Sequence, residues 1–259
     1  MRAGGPEQDP QMAYSKDPKE LWENSFQEQI AKQAYNTAPV EALVRTAAYH
    51  LRDRHPDGDN SGLHWLEMGC GTGPNLKWLA QKGIKVSGID ISRNALALAR
   101  KQLEDAGLGG SIVEMVEGSV AATPFPDASF DGIFEALVFQ HLTKEDRSKA
   151  FSEVRRLLKP GGVFIGNMLD AGHTIYKMRQ SEELPEDPGT LLLRDGGSNF
   201  HLNNLGLCHF YRREELETLL HGFAVVDPSI MTYFLPAFEA KKRGFEEYLQ
   251  SMWTVYAVK

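Results

Sequence analysis

The sequence predicts an α/β chain built on a doubly wound, largely parallel sheet. Three observations predict it. A short apolar run, Leu63 to Met68, stops at three alternating glycines, Gly69, Gly71 and Gly73, and passes straight into helical spacing. A second apolar run, Ile84 to Ile91, carries an acid near its end, Asp90. Apolar runs and helical stripes then alternate along the chain, as in strands crossed over by helices.

The glycine stretch reads Leu63-His-Trp-Leu-Glu-Met-Gly-Cys-Gly-Thr-Gly-Pro-Asn75. Glycine lacks a Cβ, so such a turn takes positive φ and lets a ligand lie against bare backbone. Pro74 suits the first helical position, where its missing N–H costs nothing. The helix start then points free N–H groups at whatever the glycines cradle. A dinucleotide fingerprint needs Gly-x-Gly-x-x-Gly, and its third glycine would fall on Pro74. The spacing here is Glu-x-Gly-x-Gly-x-Gly, with Glu67 near the strand end. A carboxylate there repels phosphate and suits an ammonium or sulfonium ion. S-adenosylmethionine (SAM) carries both cations and no phosphate. Asp90 follows Gly73 by 17 residues, close to the roughly 20-residue offset at which an acid reaches a ribose diol. Ser92 competes for the alternative role of capping the next helix.

Four motifs carry a family resemblance: Leu66-Glu-Met-Gly-Cys-Gly-Thr-Gly, Gly88-Ile-Asp-Ile-Ser, Pro124-Phe-Pro-Asp-Ala-Ser-Phe-Asp and Leu157-Leu-Lys-Pro-Gly-Gly-Val-Phe. In this order and spacing they resemble the class I SAM-dependent methyltransferases, in particular the small-molecule type 11 domain, similar to quinone-biosynthesis methyltransferases. The resemblance is strongest over residues 60–168. It implies a Rossmann-like seven-stranded sheet in the order 3-2-1-4-5-7-6 with the last strand antiparallel. It implies SAM as cofactor, and one domain over residues 17–259 behind a flexible arm, residues 1–16. At the end of the third strand the family usually reads Gly-Asp, and the acid accepts from the adenine amine. This chain reads Gly118-Ser119, so a hydroxyl stands in that place. The candidate cofactor contacts are Glu67, Gly69, Cys70, Gly71, Gly73, Asn75, Asp90, Ile91, Ser119, Val120 and Glu135.

Composition narrows the partners. The 259 residues are 42% hydrophobic and 24% charged, with a net charge of −7. Phosphate contacts need clustered Lys and Arg. Arg155-Arg156, Arg212-Arg213 and Lys241-Lys242-Arg243 are short and flanked by acids, so a small-molecule substrate is expected and nucleic acid is not. Cys70 and Cys208 form no CxxC pattern, and neither a disulfide framework nor a metal site is expected. No 18-residue apolar run occurs, so no membrane insertion is expected, and the expected setting is cytoplasmic.

The remaining elements follow in order. Asp17-Pro-Lys-Glu20 opens a helix with Asp as N-cap, and Trp22, Phe26 and Ile30 share one face. A second helix spans about Pro39 to Leu51. These N-terminal helices, residues 17–52, either pack on the sheet edge or lie over the cofactor, and Tyr35 between them is a substrate candidate. Residues 52–62 read as a surface loop. Ser92 caps a helix ending at Gly107, and a third strand spans Ile112 to Val116. The fourth strand, Phe130 to Phe134, leads into Glu135, which is open to three roles: substrate base, cation contact or helix cap. His141 is a candidate general base, because its ordinary pKa lies near neutrality. Its alternative is a backbone contact at a loop end. Thr143-Lys-Glu-Asp146 is a capping box, and Lys159-Pro-Gly-Gly162 is a turn before a fifth strand, Val163 to Met168.

Residues 169–210 break the pattern, and a segment this long inside a compact domain is usually functional. It holds His173, Tyr176, Arg179, Asp195, Asn199, His201, Asn203, Asn204 and His209. It reads as a substrate cap, with His173 and His209 as substrate candidates and His209 also a candidate base. Arg213 to His221 is the last crossover helix. Phe223 to Ile230 and Ser251 to Val258 are the last strands.

The function expected is methyl transfer from SAM to a small molecule. Alternatives are a non-catalytic SAM-binding sensor or partner subunit and, less favoured, an RNA methyltransferase.

Overall fold

The computed structural model describes residues 17–193 and 206–259. The expected arm lies outside the described residues, as do Asp195, Asn199, His201, Asn203 and Asn204.

The described strands are β1 (His64–Met68), β2 (Lys85–Asp90), β3 (Ile112–Glu117), β4 (Phe130–Ala136), β5 (Leu158–Leu169), β6 (Thr190–Leu193), β7 (Gly206–His209), β8 (Val225–Phe234) and β9 (Leu249–Val258). Seven form one sheet, ordered β3-β2-β1-β4-β5-β9-β8. Strands β1 to β5 run parallel, and β9 runs antiparallel to both β5 and β8. With β8 and β9 as its sixth and seventh strands, the sheet has the expected order and the expected reversed last strand.

The described α-helices are α1 (Pro18–Ala31), α2 (Glu41–Arg54), α3 (Pro74–Gln81), α4 (Arg93–Asp105), α5 (Lys144–Leu157), α6 (Thr174–Arg179), α7 (Arg213–Leu219) and α8 (Ala237–Lys242). Strand alternation divides the core between the two faces. Trp65, Phe134 and Ile165 pack with Leu43 of α2, Leu76 of α3 and Leu103 of α4. Leu66, Ile133 and Phe164 pack with Phe151 of α5 and Leu216 of α7. Gly132 opposes Trp65 in the β1–β4 register, and a Cβ there would stand 2.3 Å from the indole.

Capping follows the sequence. Asp17 accepts from Lys19 N–H at 3.0 Å, Ser92 from Ala95 N–H at 3.1 Å, and Thr143 from Asp146 N–H at 3.1 Å. Helix α2 runs three residues past the expected end, to Arg54. Pro56 disfavours helical geometry at His55 and stops it there. Lys159–Gly162 is no free turn but part of β5. Leu158 opposes Phe130 and Val163 opposes Gly132, with the extra residues bulged between. Gly161 N–H donates to Lys259 O and Lys259 N–H to Gly162 O, so Lys259 pins the bulge. Strands β8 and β9 pair along ten residues each, longer than expected.

Within residues 169–210, β6 and β7 pair antiparallel as a separate hairpin. Its Leu191 and Cys208 pack with Ile175 and Tyr176 of α6 and Ala240 of α8. Buried Arg147 of α5 ties this hairpin down through Asp187 at 2.6 Å. Among the described residues, no helix is long and apolar enough to cross a membrane.

Candidate active site

The loops leaving the carboxyl ends of β1, β2, β3 and β4 surround a cleft of about 440 Å³. Open α/β sheets bind ligands on this side, at the point where strand order reverses. Helix α1 lies across the cleft and contributes Pro18, Trp22, Phe26 and Gln29 to its lining. No residue of α1 is buried. It is held by Lys19 on Glu117 at 2.6 Å and by Asn94 N–H on Glu23 Oε2 at 3.4 Å.

The floor is the glycine turn. Gly69, Gly71 and Gly73 have φ of +78°, +49° and +82°, in the left-handed region. The N–H groups of Gly69 and Cys70 donate to Ile89 O at 2.7 and 3.1 Å, which ties the turn to β2. Gly71 N–H donates to Asp90 Oδ2 at 2.8 Å. A Cβ on Gly69 would stand 2.3 Å from Val138. A Cβ on Gly73 would stand 2.9 Å from Ala99, so that glycine allows α3 to pack on α4.

Two acids flank the floor. Glu67 Oε1 accepts from Asn75 Nδ2 at 2.6 Å, whereas Oε2 is buried with no partner. Burial, opposed by the Asn75 bond, pushes the Glu67 carboxyl up to about 8. Asp90 accepts from Gly71 N–H through Oδ2 and from Ser92 N–H through Oδ1, the latter at 2.9 Å. Ser92, not Asp90, caps α4, which leaves Asp90 on the cleft wall.

The loop after β4 makes the opposite wall. Leu137 sits at φ +61°, a conformation rare for a γ-branched residue, and its N–H donates to Asn167 O at 2.9 Å. Glu135 is fully buried behind it, and Oε1 accepts from Val138 and Phe139 N–H at 2.6 and 3.0 Å. It therefore caps the turn that presents Gln140 and His141 to the cleft. Burial raises its carboxyl to about 7. His141 packs edge-on to Trp22, with ring centroids 5.2 Å apart. Burial lowers its imidazole to about 4, despite a bond to the Leu207 carbonyl.

A sequence profile described as "Methyltransferase domain" matches residues 66–166, the stretch from β1 through most of β5. Over this stretch the chain is similar to the type 11 methyltransferase domains that its motifs resemble. Sterol 24-C-methyltransferase ERG6B of Gibberella zeae is 31% identical over 144 residues, 55% of this chain and 36% of that protein. Ubiquinone/menaquinone biosynthesis C-methyltransferase UbiE of Hahella chejuensis is 36% identical over 108 residues, 40% of this chain and 42% of that protein. The chain thus matches well under half of the length of these curated relatives. A SAM-dependent methyltransferase from Methanosarcina mazei superposes with a TM-score of 0.61 at 25% identity, covering 78% of this chain and 95% of that one.

SAM is the cofactor of this methyltransferase domain, and the residues present fit it. Glu67 Oε2 is an orphaned acceptor suited to a cation, and the glycine floor leaves room that side chains would fill. Nine of the expected contacts line the cleft together: Glu67, Gly69, Cys70, Gly71, Asn75, Asp90, Ile91, Ser119 and Val120. Gly73 and Glu135 lie behind the lining, in helix packing and loop capping. Ser119 Oγ accepts from Ala121 N–H at 3.2 Å.

Of the substrate and base candidates, only His141 lines the cleft. Tyr35 does not, although its neighbour Asn36 does and accepts from Thr72 Oγ1 at 2.9 Å. His173 is buried as the N-cap of α6, where Nδ1 accepts from Ile175 N–H at 3.2 Å. His209 is buried between Thr190 Oγ1 at 2.7 Å and Glu215 Oε2 at 2.9 Å, inside the hairpin clamp. Sequence reasoning missed Gln140 and Leu137, which carry no motif. Trp22 and Phe26 were visible as a helical stripe, but the stripe does not say that it faces a cleft.

Proposed function

We propose that this chain transfers a methyl group from SAM to a small-molecule acceptor. The observation that carries the reading is Glu67 Oε2, buried and unpartnered beside a bare glycine floor, in one cleft with Asp90. Bound there, SAM supplies a methyl group already activated on a sulfonium sulfur. The work of the chain is then placement of the acceptor in line with the methyl–sulfur bond. Glu67 holds a cationic group of the cofactor, Asp90 accepts from its ribose hydroxyls, and the glycine turn gives its backbone room. Ser119 and Val120 border the adenine. Trp22, Phe26 and the Leu137–Leu142 loop close the cleft over the reacting atoms and keep water out. Residues 17–259 act as one unit, with residues 169–210 as the cap that sets specificity. The curated relatives are named for sterol methylation and for ubiquinone/menaquinone biosynthesis, which supports a small-molecule acceptor.

Tritium transfer from methyl-labelled SAM into a metabolite extract tests the reading. A labelled small molecule is the expected product. Binding of SAM with no transfer into any extract fraction would overturn it in favour of a non-catalytic module.

A further inference from the structure

Three groups around His141 share one direction of hydrogen bonding. Leu169 N–H donates to Gln140 Oε1 at 3.2 Å, which turns the amide so that Nε2 faces the imidazole. Gln140 Nε2 stands 3.3 Å from His141 Nε2, and His141 Nδ1 stands 2.8 Å from the carbonyl of Leu207 on β7. An amide nitrogen only donates and a carbonyl only accepts. Both ends therefore demand the same tautomer, with the proton on Nδ1 and a lone pair on Nε2. The ring is partly exposed and lines the cleft.

Apolar side chains share the cleft with that imidazole. Trp22, Leu137, Val138 and Leu142 line the same cleft as the imidazole. The charged side chains among its described lining residues are the acids Glu67 and Asp90. An anion entering would give up its hydration among these apolar side chains, and no Lys or Arg stands among the described lining residues to receive it. A cation would compete with the cofactor's own positive charge.

We propose that the cleft beside His141 takes an uncharged, largely apolar molecule bearing one O–H or N–H donor, and that His141 Nε2 receives the hydrogen bond. The proposal rests on the methyl-transfer reading only in identifying that molecule as the methyl acceptor. Gln140 holds Nε2 across 3.3 Å, so a hydroxyl at an ordinary distance of roughly 2.8 Å takes the lone pair in its place. The bond fixes the donor atom while leaving that atom's own lone pair free to face the methyl group. Burial keeps the imidazole neutral through the physiological range, so the lone pair is always available. Because Leu207 belongs to the hairpin, seating of the cap also sets the tautomer.

The test is calorimetric titration of the full chain, saturated with S-adenosylhomocysteine, with 2-naphthol, 2-methoxynaphthalene and 2-naphthoate. The naphthol should bind on the order of ten-fold tighter than its methyl ether, the worth of one satisfied buried hydrogen bond. The naphthoate should bind most weakly. H141F should bring the naphthol down to the level of the ether. In the unaltered protein labelled with ¹⁵N-histidine, the His141 Nε2 resonance should shift with naphthol and stay put with the ether. Naphthoate binding as tightly as naphthol, an unmoved resonance, or a naphthol preference kept in folded H141F would each overturn the proposal. Should H141F not fold, the resonance decides. Failure of the methyl-transfer reading would show separately, as absent heat in the initial titration with S-adenosylhomocysteine. The naphthalene series without that ligand would still test His141.

Discussion

Asn75 grips Glu67 by one oxygen and leaves the other bare. Its Nδ2 donates to Glu67 Oε1 at 2.6 Å, and its Oδ1 accepts from Val40 N–H at 2.8 Å. One amide therefore aims the carboxylate and satisfies an N–H group at the start of α2. Asn75→Ala should weaken S-adenosylhomocysteine binding by about ten- to hundred-fold, the range for a lost hydrogen bond to a charged group. Calorimetry reads this directly, and unchanged affinity would remove Asn75 from the site.

Glu67 also sets a pH dependence. Its carboxyl stands at about 8 instead of the ordinary 4.5. Between those values the folded state holds a proton that the unfolded state has released. Stability from this group is therefore present below pH 4.5 and lost as pH rises towards 8. Glu67→Gln should melt higher than the parent protein at pH 8.5, while losing affinity for the cationic SAM. SAM binding to the parent at pH 7 should release a proton, visible as buffer-dependent heat. A variant less stable at pH 8.5 would contradict this.

The histidines give the opposite slope. Burial lowers His50, His141 and His173 to about 4 from the ordinary 6.5. As pH falls from 6.5 to 4, the unfolded chain takes up protons that the folded chain refuses, so stability falls. His50→Gln keeps a partner for Tyr256 Oη, which lies 3.0 Å from His50 Nδ1. It should reduce the stability lost between pH 6.5 and 5, as measured by urea unfolding.

Gly132→Ala tests packing alone. A methyl 2.3 Å from Trp65 cannot be accommodated without a shift of the indole. The cost should be about 1–3 kcal/mol, read as a lower melting temperature with ligand affinity retained.

Asp187→Ala should unfasten the β6–β7 hairpin. The Arg147–Asp187 pair is almost wholly buried, with side chains 3% and 9% exposed. Breaking such a pair strands a charge, at roughly 3–5 kcal/mol. Amide exchange in β6 and β7 should quicken more than in β1 or β4.

Local chemistry made much of this fold legible. The glycine turn, the acid of β2 and the three caps at Asp17, Ser92 and Thr143 are decided within a few residues, so sequence alone placed them. The Glu135 alternatives were not separable this way. Its role depends on backbone N–H groups of Val138 and Phe139 folding back over it, a contact made by a loop without periodicity. His173 and His209 both read as substrate candidates in sequence, His209 also as a base. Only tertiary packing shows that Thr190, Glu215 and Ile175 occupy their nitrogens. The Lys159–Gly162 bulge needed Lys259, almost a hundred residues away, to hold it in the sheet.

Helix α1 covers the cleft without burying a single residue. Its polar fastenings are an ion pair between partly exposed side chains and one long hydrogen bond, beside the ring contact of Trp22 with His141. Exposed pairs of this kind contribute no more than about 1 kcal/mol and weaken in salt. Part of the latch on this doorway is thus electrostatic, separate from the forces that hold the sheet together. Raising the ionic strength should shorten the residence time of a bound nucleoside and leave the melting of the sheet where it was.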